Sequence, residues 1–432
     1  MINISLNGRF LFKYKYPTSM KLGVTGTDIL SKKISGGSTH QKEVLLRFAK
    51  RYDVTYFPDP VIYSDINQNK IKTLKENAKF FEDNAVKITD AFYKIIEKSG
   101  KNKFELMDKY IKESDVDAIY NMDYLYALYH GLKSGYLNYT RYLSKLLDSK
   151  YGICIQGLGD INNHLFYSFY SFSYLSAKMG KYFFYPYLEF VYDYFYIKEQ
   201  LTRLNYDKNL KFIALLNPSQ KKNINLKARV PIEVLYPSSG FMGYIEAPAK
   251  KDNKIIYYSR LNFMKGLLEI PYIFKKISER IDVYLEVIGK FNTKYEEDEF
   301  FSMIKKLGLT EKIKYKGYLP DEELREELKT SMLLLYPSHS DSFSLVILEA
   351  LSYSVPVVAY DIPGLSYFKG FSNVKMVKEF DINSMAAAAL NMLKDSRFSE
   401  LNESEKKFIK IHVWDNVAME HSRLIDKYLF NK

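Results

Sequence analysis

The sequence predicts an α/β protein with two doubly wound parallel sheets, each in its own domain. The chain has 432 residues, and single hydrophobic cores stop growing near about 250–300 residues, so two domains and a cleft are expected. Apolar residues make up 47% and charged residues 26%, which excludes disordered and fibrous classes. From Lys254 onward, short β-branched or aromatic runs alternate with segments of helical period, the pattern of repeated βαβ units.

The C-terminal half shows this alternation most clearly. Its predicted strands are 254–259, 282–288, 312–316, 332–336, 355–360 and 373–377. Its predicted helices are 266–279, 296–307, 320–330, 343–353 and 382–394. Six parallel strands with helices between them predict a Rossmann-like domain.

The N-terminal half is less regular but ends with the same alternation. Its predicted strands are 53–57, 118–120, 151–156, 212–216 and 232–236, and a long amphipathic helical region is predicted over about 65–113. Asn7-Gly8 predicts a hairpin turn, and Gly36-Gly37-Ser38 is expected to precede a helix over 41–50. The segment 237–253 is rich in Pro, Gly, Ser and Lys, so it is the predicted linker.

The chain is basic, with 63 Lys and Arg against 51 Asp and Glu, a net charge of +12. The basic residues form scattered pairs without a run of five, so nucleic acid is not expected as a partner. An anionic substrate, or peripheral contact with an anionic membrane, fits this charge better.

Cysteine and histidine usage favours a reducing compartment. Cys154 is the single cysteine, which excludes an internal disulfide, and the six His are too dispersed to predict a metal site. The sequence shows neither a signal-peptide pattern nor 18 uninterrupted apolar residues. We therefore expect a cytoplasmic protein, with peripheral contact on the cytosolic membrane face as a further hypothesis.

The segment 166–196 is dense in Phe and Tyr. Such a surface would suit a membrane interface, a lipid-linked acceptor or stacked sugar rings. An ordinary core is the alternative, because the whole chain contains 39 Tyr and 29 Phe.

Two cations follow the first predicted strand of the second domain. Arg260 and Lys265 precede Gly266 in a loop expected at the carboxyl end of a parallel strand, where ligands of open α/β sheets bind. The pair suits an anion with two negative groups. An ordinary exposed loop with two basic residues is the alternative.

A second candidate runs from a strand end through a Ser-rich loop into an apolar helix. Glu349 is the one charged residue between Leu345 and Leu351, so its carboxylate needs a partner, which ligand hydroxyls or a buried Arg would supply. Asp341 precedes this helix, up to about 12 Å away from Glu349 along the helix direction. The first turn, near 343–346, offers free N–H groups and a positive dipole end, which suit a phosphate between two sugars.

Residues from about 230 to 430 resemble the second domain of family 4 glycosyltransferases, which are retaining enzymes of the GT-B fold. The motifs that match, in order, are Ser259-Arg260-Leu261, Lys265-Gly266, Ile288-Gly289, Gly317-Tyr318-Leu319-Pro320, Pro337-Ser338, Asp341 with Glu349-Ala350, Pro356-Val357-Val358-Ala359 and Trp414-Asp415. The resemblance implies two Rossmann-like domains facing across a cleft. Their expected bounds are 1–240 and 241–412, and a last helix in 413–432 is expected to pack back on the first domain.

The resemblance also implies roles for single residues. Arg260 and Lys265 would hold the donor diphosphate, Asp341 would orient hydroxyls of the donor sugar, and Glu349 would bind the nucleotide ribose. The remaining donor contacts that it implies are Gly37, Gly289, Ser344 and Leu345. The family usually has Glu at position 341 and Gly at positions 342 and 344, so this chain departs from the pattern there.

In the first domain, Gly36-Gly37 resembles the family's glycine-rich loop near the acceptor and the phosphates, with an ordinary loop pair as the alternative. The strand over 151–156 resembles one that often ends in His-Gly near the reacting sugar, and Gln156 replaces that His. Gln156 is therefore a candidate on the acceptor side. His164 is a candidate to take the place of the missing imidazole in space, with an ordinary structural His as the alternative.

The activity implied by the resemblance is transfer of a hexose from a nucleotide-sugar donor to a glycan or lipid-linked acceptor. The resemblance also implies retention at the anomeric carbon, and it implies that the reaction needs neither an obligatory metal nor another cofactor. A degenerate GT-B protein that binds nucleotide or glycan, or supports a partner transferase, is the alternative, since positions 156, 341, 342 and 344 depart from the pattern. A metal-dependent transferase built on Asp115-Val116-Asp117 does not fit the predicted topology. Domain closure is expected to hinge near 237–250.

Overall fold

The structure is a computed structural model, and it describes residues 20–31, 36–63, 67–97, 103–124, 138–157, 195, 199, 201–223, 229–241 and 251–432. These residues contain two parallel sheets, each at the centre of its own hydrophobic core. Several predictions fall outside the described residues: the hairpin at Asn7-Gly8, His164, the aromatic segment apart from Phe195, and residues 242–250 of the linker.

The first sheet has the strand order β3-β2-β1-β4-β5-β6-β7, with parallel pairing throughout its described strands. The strands are β1 (Lys21–Thr25), β2 (Asp53–Tyr56), β3 (Val86–Ile88), β4 (Ala118–Asn121), β5 (Lys150–Ile155), β6 (Leu210–Leu215) and β7 (Ile232–Val234). The helices between them are α1 (Gly36–Phe48), α2 (Gln68–Asp83), α3 (Asp90–Ile95), α4 (Lys103–Lys112), α5 (Tyr139–Leu146) and α6 (Pro218–Asn223). Helices cover parallel sheets on both faces, which explains the continuous apolar runs of β4 and β5.

The second sheet has the order β10-β9-β8-β11-β12-β13 and is also parallel. Its strands are β8 (Lys254–Tyr258), β9 (Tyr284–Ile288), β10 (Ile313–Gly317), β11 (Leu333–Tyr336), β12 (Val357–Tyr360) and β13 (Val374–Val377). The helices are α7 (Ile270–Ser278), α8 (Lys294–Lys306), α9 (Asp321–Thr330), α10 (Leu345–Ser352), α11 (Ile382–Leu393), α12 (Glu403–Ile411) and α13 (Trp414–Ile425). The strand order reverses between β8 and β11, so a ligand crevice is expected at their carboxyl ends.

All six predicted strands of the second half are confirmed to within two residues at each end. In the first half, β1 and β3 were not predicted, and the continuous helical region over 65–113 is wrong. That region is divided into α2, β3, α3 and α4, and the positive φ of 63° at Ala85 ends the helical path between α2 and β3. The glycine pair is also misplaced, since Gly36 and Gly37 form the first turn of α1 instead of preceding the helix.

The last helix, α13, packs against α1 of the first domain. The Nε2 of His421 on α13 is hydrogen-bonded to the Nε2 of His40 on α1, at 3.1 Å. The Nδ1 of His421 lies 2.7 Å from the hydroxyl of Tyr120. Trp414 at the start of α13 belongs to the core of the first sheet. The C-terminal helix therefore completes the hydrophobic core of the N-terminal domain.

Candidate functional site

Lys265 and Asp341 form an ion pair at the carboxyl ends of β8 and β11. The Lys265 Nζ lies 2.9 Å from Asp341 Oδ2, and the side chains are only 13% and 17% exposed. The ammonium also donates to the carbonyl of Ser340 at 2.7 Å and to the hydroxyl of Ser338 at 3.3 Å. The hydroxyl of Tyr336 donates to the same Asp341 oxygen. This cation and this carboxylate are therefore held in fixed positions, with part of their hydrogen-bonding capacity already used.

Two glycines allow the loops of this site to approach each other. Gly266 has φ 71°, and a Cβ there would lie 2.2 Å from the carbonyl oxygen of Pro337. Gly289 has φ 142°, and a Cβ there would lie 1.9 Å from the carbonyl oxygen of Ser259. Only glycine fits at such distances, so these two motif residues are explained by the close approach of the strand-end loops.

Arg260 differs from Lys265 in its environment. Arg260 is exposed, whereas the side chain of Lys265 is enclosed by the turn that carries Asp341. The structure thus places only one of the two predicted cations in the packed cluster. The other is accessible to an anion that arrives from solvent.

The loop before α10 is strained at Ser344. This residue has φ 77° and ψ 92°, a backbone conformation that residues other than glycine rarely adopt. Its hydroxyl caps the helix by accepting a 3.3 Å hydrogen bond from the N–H of Ile347. The N–H groups of Leu345 and Val346 come earlier in the first turn, where no acceptor exists within the helix, so they are the amides that suit an anion.

Glu349 is half-buried on α10, and its partner is a tyrosine. The Tyr258 hydroxyl lies 3.1 Å from Glu349 Oε2 and 2.7 Å from the carbonyl oxygen of Val346. Burial raises the pKa of Glu349 to about 7, although the hydrogen bond from Tyr258 acts in the opposite direction. The sequence predicted a ligand hydroxyl or a buried Arg as the partner of Glu349. Tyr258 was not predicted, because nothing in the pattern of β8 separates this ring from other buried aromatic residues.

Residues of both domains line a cleft of about 700 Å³. From the first domain it includes Ser38, Lys42 and Phe80, and from the second Leu345 and Glu349. Arg260, Lys265 and Asp341 are not among the lining residues, so the predicted site is divided into two adjacent parts. The two parts are connected through β8 and β11, which pair with each other and carry Tyr258 and Tyr336 at their ends.

Gln156 lies at the contact between the two domains. Its side-chain amide donates to the backbone carbonyl of Met122 at 2.7 Å. The backbone carbonyl of Gln156 accepts a hydrogen bond from the hydroxyl of Ser342. A second contact joins the Asn217 amide to the carbonyl of Gly364 at 3.1 Å. The role of Asn217 was not predicted, because a single polar residue after a strand carries no signal of a domain contact.

Within the described ranges, no group of three or more His, Cys, Asp or Glu side chains is arranged to hold a metal ion. The same part of the chain contains no helix of the length and hydrophobicity needed to cross a bilayer.

Residues 245–411 match the family described as glycosyl transferases group 1. The second domain is similar to group 1 glycosyltransferase domains. The match covers the motifs from Arg260 to Glu349, and it confirms the resemblance to glycosyltransferases over this half of the chain, with family 4 consistent.

Each curated relative aligns with less than half of the chain. It is 28% identical over 173 residues to an uncharacterized glycosyltransferase of Methanocaldococcus jannaschii, covering 39% of this chain and 43% of that protein. It is 30% identical over 107 residues to O-antigen chain mannosyltransferase B of Escherichia coli, covering 25% and 28%. It is 26% identical over 194 residues to the poly(glycerol-phosphate) alpha-glucosyltransferase of Bacillus subtilis, covering 42% and 27%. The chain thus spans less than half the length of these relatives.

Solved structures resemble almost the whole chain. The Anabaena protein HepE in complex with UDP-glucose gives a TM-score of 0.66 at 14% identity, covering 94% of this chain and 100% of that one. Sucrose-phosphate synthase from Thermosynechococcus elongatus gives 0.65 at 14% identity, covering 95% and 99%. At such identities the likeness concerns the fold, and it confirms the predicted GT-B architecture.

Proposed function

We propose that the protein is a retaining glycosyltransferase that moves a hexose from a nucleotide-sugar donor to an acceptor hydroxyl, in glycan or glycolipid synthesis. The observation that supports this most is the fixed pair Lys265 and Asp341 at the carboxyl ends of β8 and β11 of a group 1 domain. The structure of HepE, which has a similar fold, contains UDP-glucose. A nucleoside diphosphate sugar is therefore the donor class that we assign.

We assign the diphosphate to Lys265, Arg260 and the first amides of α10. As the bond between the anomeric carbon and the leaving oxygen breaks, negative charge grows on the diphosphate and is stabilised by these prearranged cations and dipoles. A cation 4 Å from a phosphate at an effective dielectric near 20 contributes roughly 4 kcal/mol before desolvation is subtracted. Such groups act without an obligatory metal, which is the basis of our proposal that the reaction needs none.

The two carboxylates are assigned to sugars on either side of the diphosphate. Tyr336 and Lys265 both bond to Oδ2 of Asp341, so we assign Oδ1 to a hydroxyl of the donor hexose. Glu349 lines the cleft and is assigned to the ribose hydroxyls. Gly37 and Gly289 are assigned to close backbone approach of the donor. The acceptor oxygen attacks the anomeric carbon on the face from which the diphosphate leaves, and its proton passes to a donor phosphate oxygen.

The acceptor is assigned to the first domain, where the cleft is lined by Lys42 and Phe80 and where Gly36 and Gln156 lie. Residues 1–240 contain 35 Lys and Arg against 23 Asp and Glu, whereas residues 241–432 contain 28 of each. The net charge of +12 therefore belongs entirely to the acceptor side. This asymmetry supports an anionic glycan or lipid-linked acceptor and peripheral contact with an anionic membrane. Flotation with vesicles containing anionic lipid tests the contact, and equal recovery with neutral vesicles at low salt would contradict it.

The donor is tested with a panel of UDP, GDP and ADP sugars. We expect one nucleoside diphosphate to raise the melting temperature, and its sugar derivative to be hydrolysed slowly without an acceptor. EDTA is expected to leave that rate unchanged.

A second candidate function is nucleotide or glycan binding without transfer. It is favoured by the side chain of Gln156, which is engaged with the carbonyl of Met122 at the position where the family often has a His. Retained binding of a nucleoside diphosphate with no turnover of any sugar in the panel would favour this function over transfer.

A further inference from the structure

His339 has no role in the donor contacts assigned above, yet it lies two residues before Asp341 and is buried. Both nitrogens of its ring face carboxylates. Its Nε2 lies 2.5 Å from Oε1 of Glu269, and its Nδ1 lies 2.9 Å from Oε1 of Glu379. An ionised carboxylate only accepts hydrogen bonds, so both ring nitrogens donate and the ring is an imidazolium.

The ring connects loops that follow four neighbouring strands. Glu269 comes from the segment between β8 and α7, His339 follows β11, and Glu379 follows β13. Tyr360 ends β12, and its hydroxyl donates to the other oxygen of Glu269. The backbone N–H of His339 donates to the carbonyl of Met264 at 2.9 Å, so the turn after β11 is also tied to the loop after β8.

The turn that His339 anchors is the one that orients the ion pair. Lys265 donates to the hydroxyl of Ser338, the carbonyl of Ser340 and the carboxylate of Asp341. Ser338 and Ser340 flank His339, and Asp341 is the next residue. Movement of the His339 ring would therefore displace both charges of the pair. The exposed Phe380 stacks on the ring at 4.6 Å and limits such movement.

We propose that His339 is a positioning residue, which acts through the clamp formed by Glu269 and Glu379 to hold Lys265 and Asp341 in the geometry that the donor requires. The inference rests on the proposed function. A buried charge cluster of this kind adds little stability compared with apolar packing, so precise placement of the turn is the benefit that we assign to it.

A dependence on pH follows from the same geometry. Burial lowers the pKa of His339, but the hydrogen bonds to Glu269 and Glu379 outweigh it, and the net shift is upward. Tyr360 and Asp381 are the other titratable groups near this cluster. Burial and the nearby carboxylates raise the pKa of Tyr360, so its hydroxyl stays protonated and donates to Glu269, and the charge of Asp381 acts on Tyr360 in the same direction. When the ring loses its proton, one of its nitrogens faces a carboxylate without a hydrogen to donate. The turn then loosens, so transfer is expected to decline as the pH rises through the pKa of His339.

The test measures donor hydrolysis by the full chain between pH 6 and 9, with whichever nucleotide sugar of the UDP, GDP and ADP panel the wild type hydrolyses. His339→Gln is expected to lower kcat at least tenfold while the Kd for the matching nucleoside diphosphate changes less than threefold. Glu379→Gln is expected to move the alkaline midpoint of kcat down by about one pH unit, because one of the two charges that raise the pKa is removed. Glu326→Gln, an exposed change of the same chemistry on α9, is the control and is expected to leave the midpoint unchanged.

Melting temperatures separate positioning from folding. A His339→Gln protein that is folded at the assay temperature and keeps the wild-type kcat and pH profile would overturn the inference, and so would an unshifted midpoint in a folded Glu379→Gln protein. A wild type that hydrolyses no sugar of the UDP, GDP and ADP panel would instead remove the proposed function, and this inference with it.

Discussion

The ammonium of Lys265 lies 2.9 Å from the Oδ2 of Asp341, so the cation assigned to the diphosphate and the carboxylate assigned to the sugar are joined before a donor binds. The two side chains are therefore expected to act as one unit. Loss of Asp341 would remove the proposed sugar contact and also release Lys265 from its fixed position.

The first prediction concerns this coupling. Asp341→Asn and Lys265→Met are each expected to lower kcat/KM about a hundredfold, the magnitude found when one preorganised electrostatic group is removed. The double variant is expected to lose at most about tenfold more, because residues that act together give non-additive losses. Steady-state kinetics of all three variants measure it, and a double variant whose loss equals the product of the single losses would show that the pair does not act together.

The second prediction concerns the strained Ser344. Glycine adopts its φ of 77° without the roughly 1–2 kcal/mol cost that other residues incur, whereas loss of the hydroxyl cap costs only a few tenths when glycine replaces serine. Ser344→Gly is therefore expected to raise the free energy of unfolding by about 1 kcal/mol. Ser344→Ala keeps the strain and loses the cap, so it is expected to be destabilising. Urea denaturation of both variants decides this, and a less stable glycine variant would contradict it.

The third prediction follows from the pKa of Glu349, which burial raises to about 7. The ionised form accepts hydrogen bonds from ribose hydroxyls, so binding should strengthen as the carboxyl loses its proton. We expect the Kd of the bound nucleoside diphosphate to fall about tenfold between pH 6 and pH 8, measured relative to Glu349→Gln so that titration of the phosphate cancels. Calorimetry at the two pH values tests this. The same pKa implies that the contribution of Glu349 to stability falls as the pH rises from about 4.5 to 7.

The fourth prediction concerns acid stability. Burial lowers the pKa of His412 to about 4, whereas the unfolded chain binds that proton near pH 6.5, so the unfolded state gains protons first as the pH falls. Lowering the pH from 7 to 5 is expected to cost about 2 kcal/mol at this residue. The free energy of unfolding of His412→Phe should therefore decline less than that of the wild type over this range. Equal declines would show that His412 is not buried in its neutral form. Burial also lowers the pKa of His40 to about 4, so His40 likewise makes the free energy of unfolding decline as the pH falls. The pKa of His339 is raised, so His339 has the opposite effect. Both residues remain in the His412→Phe variant, so their contributions are the same in the two proteins.

The sequence predicted the second domain well because its strands are short apolar runs between helices of clear period. It predicted the first domain less well, since β3 is only three residues long, with the exposed Lys87 between two buried residues, and resembles the end of a helix. Motif order assigned Lys265, Asp341 and Glu349 to one predicted site, whereas the structure places Glu349 in the cleft and the other two in the adjacent cluster. Motif order did not show that Lys265 and Asp341 are paired, that Tyr258 is the partner of Glu349, or that His339 is held between two carboxylates. Those contacts join residues far apart in the chain, and local patterns contain no information on them.

The most direct test of the account is donor hydrolysis by the wild type, Arg260→Ala and Lys265→Ala, with the nucleotide sugar that the wild type accepts. We predict that Lys265→Ala lowers kcat/KM at least a hundredfold and that Arg260→Ala lowers it at least tenfold, while both proteins keep the wild-type melting temperature to within a few degrees. Values of kcat/KM within twofold of the wild type for both variants would show that these cations do not hold the diphosphate.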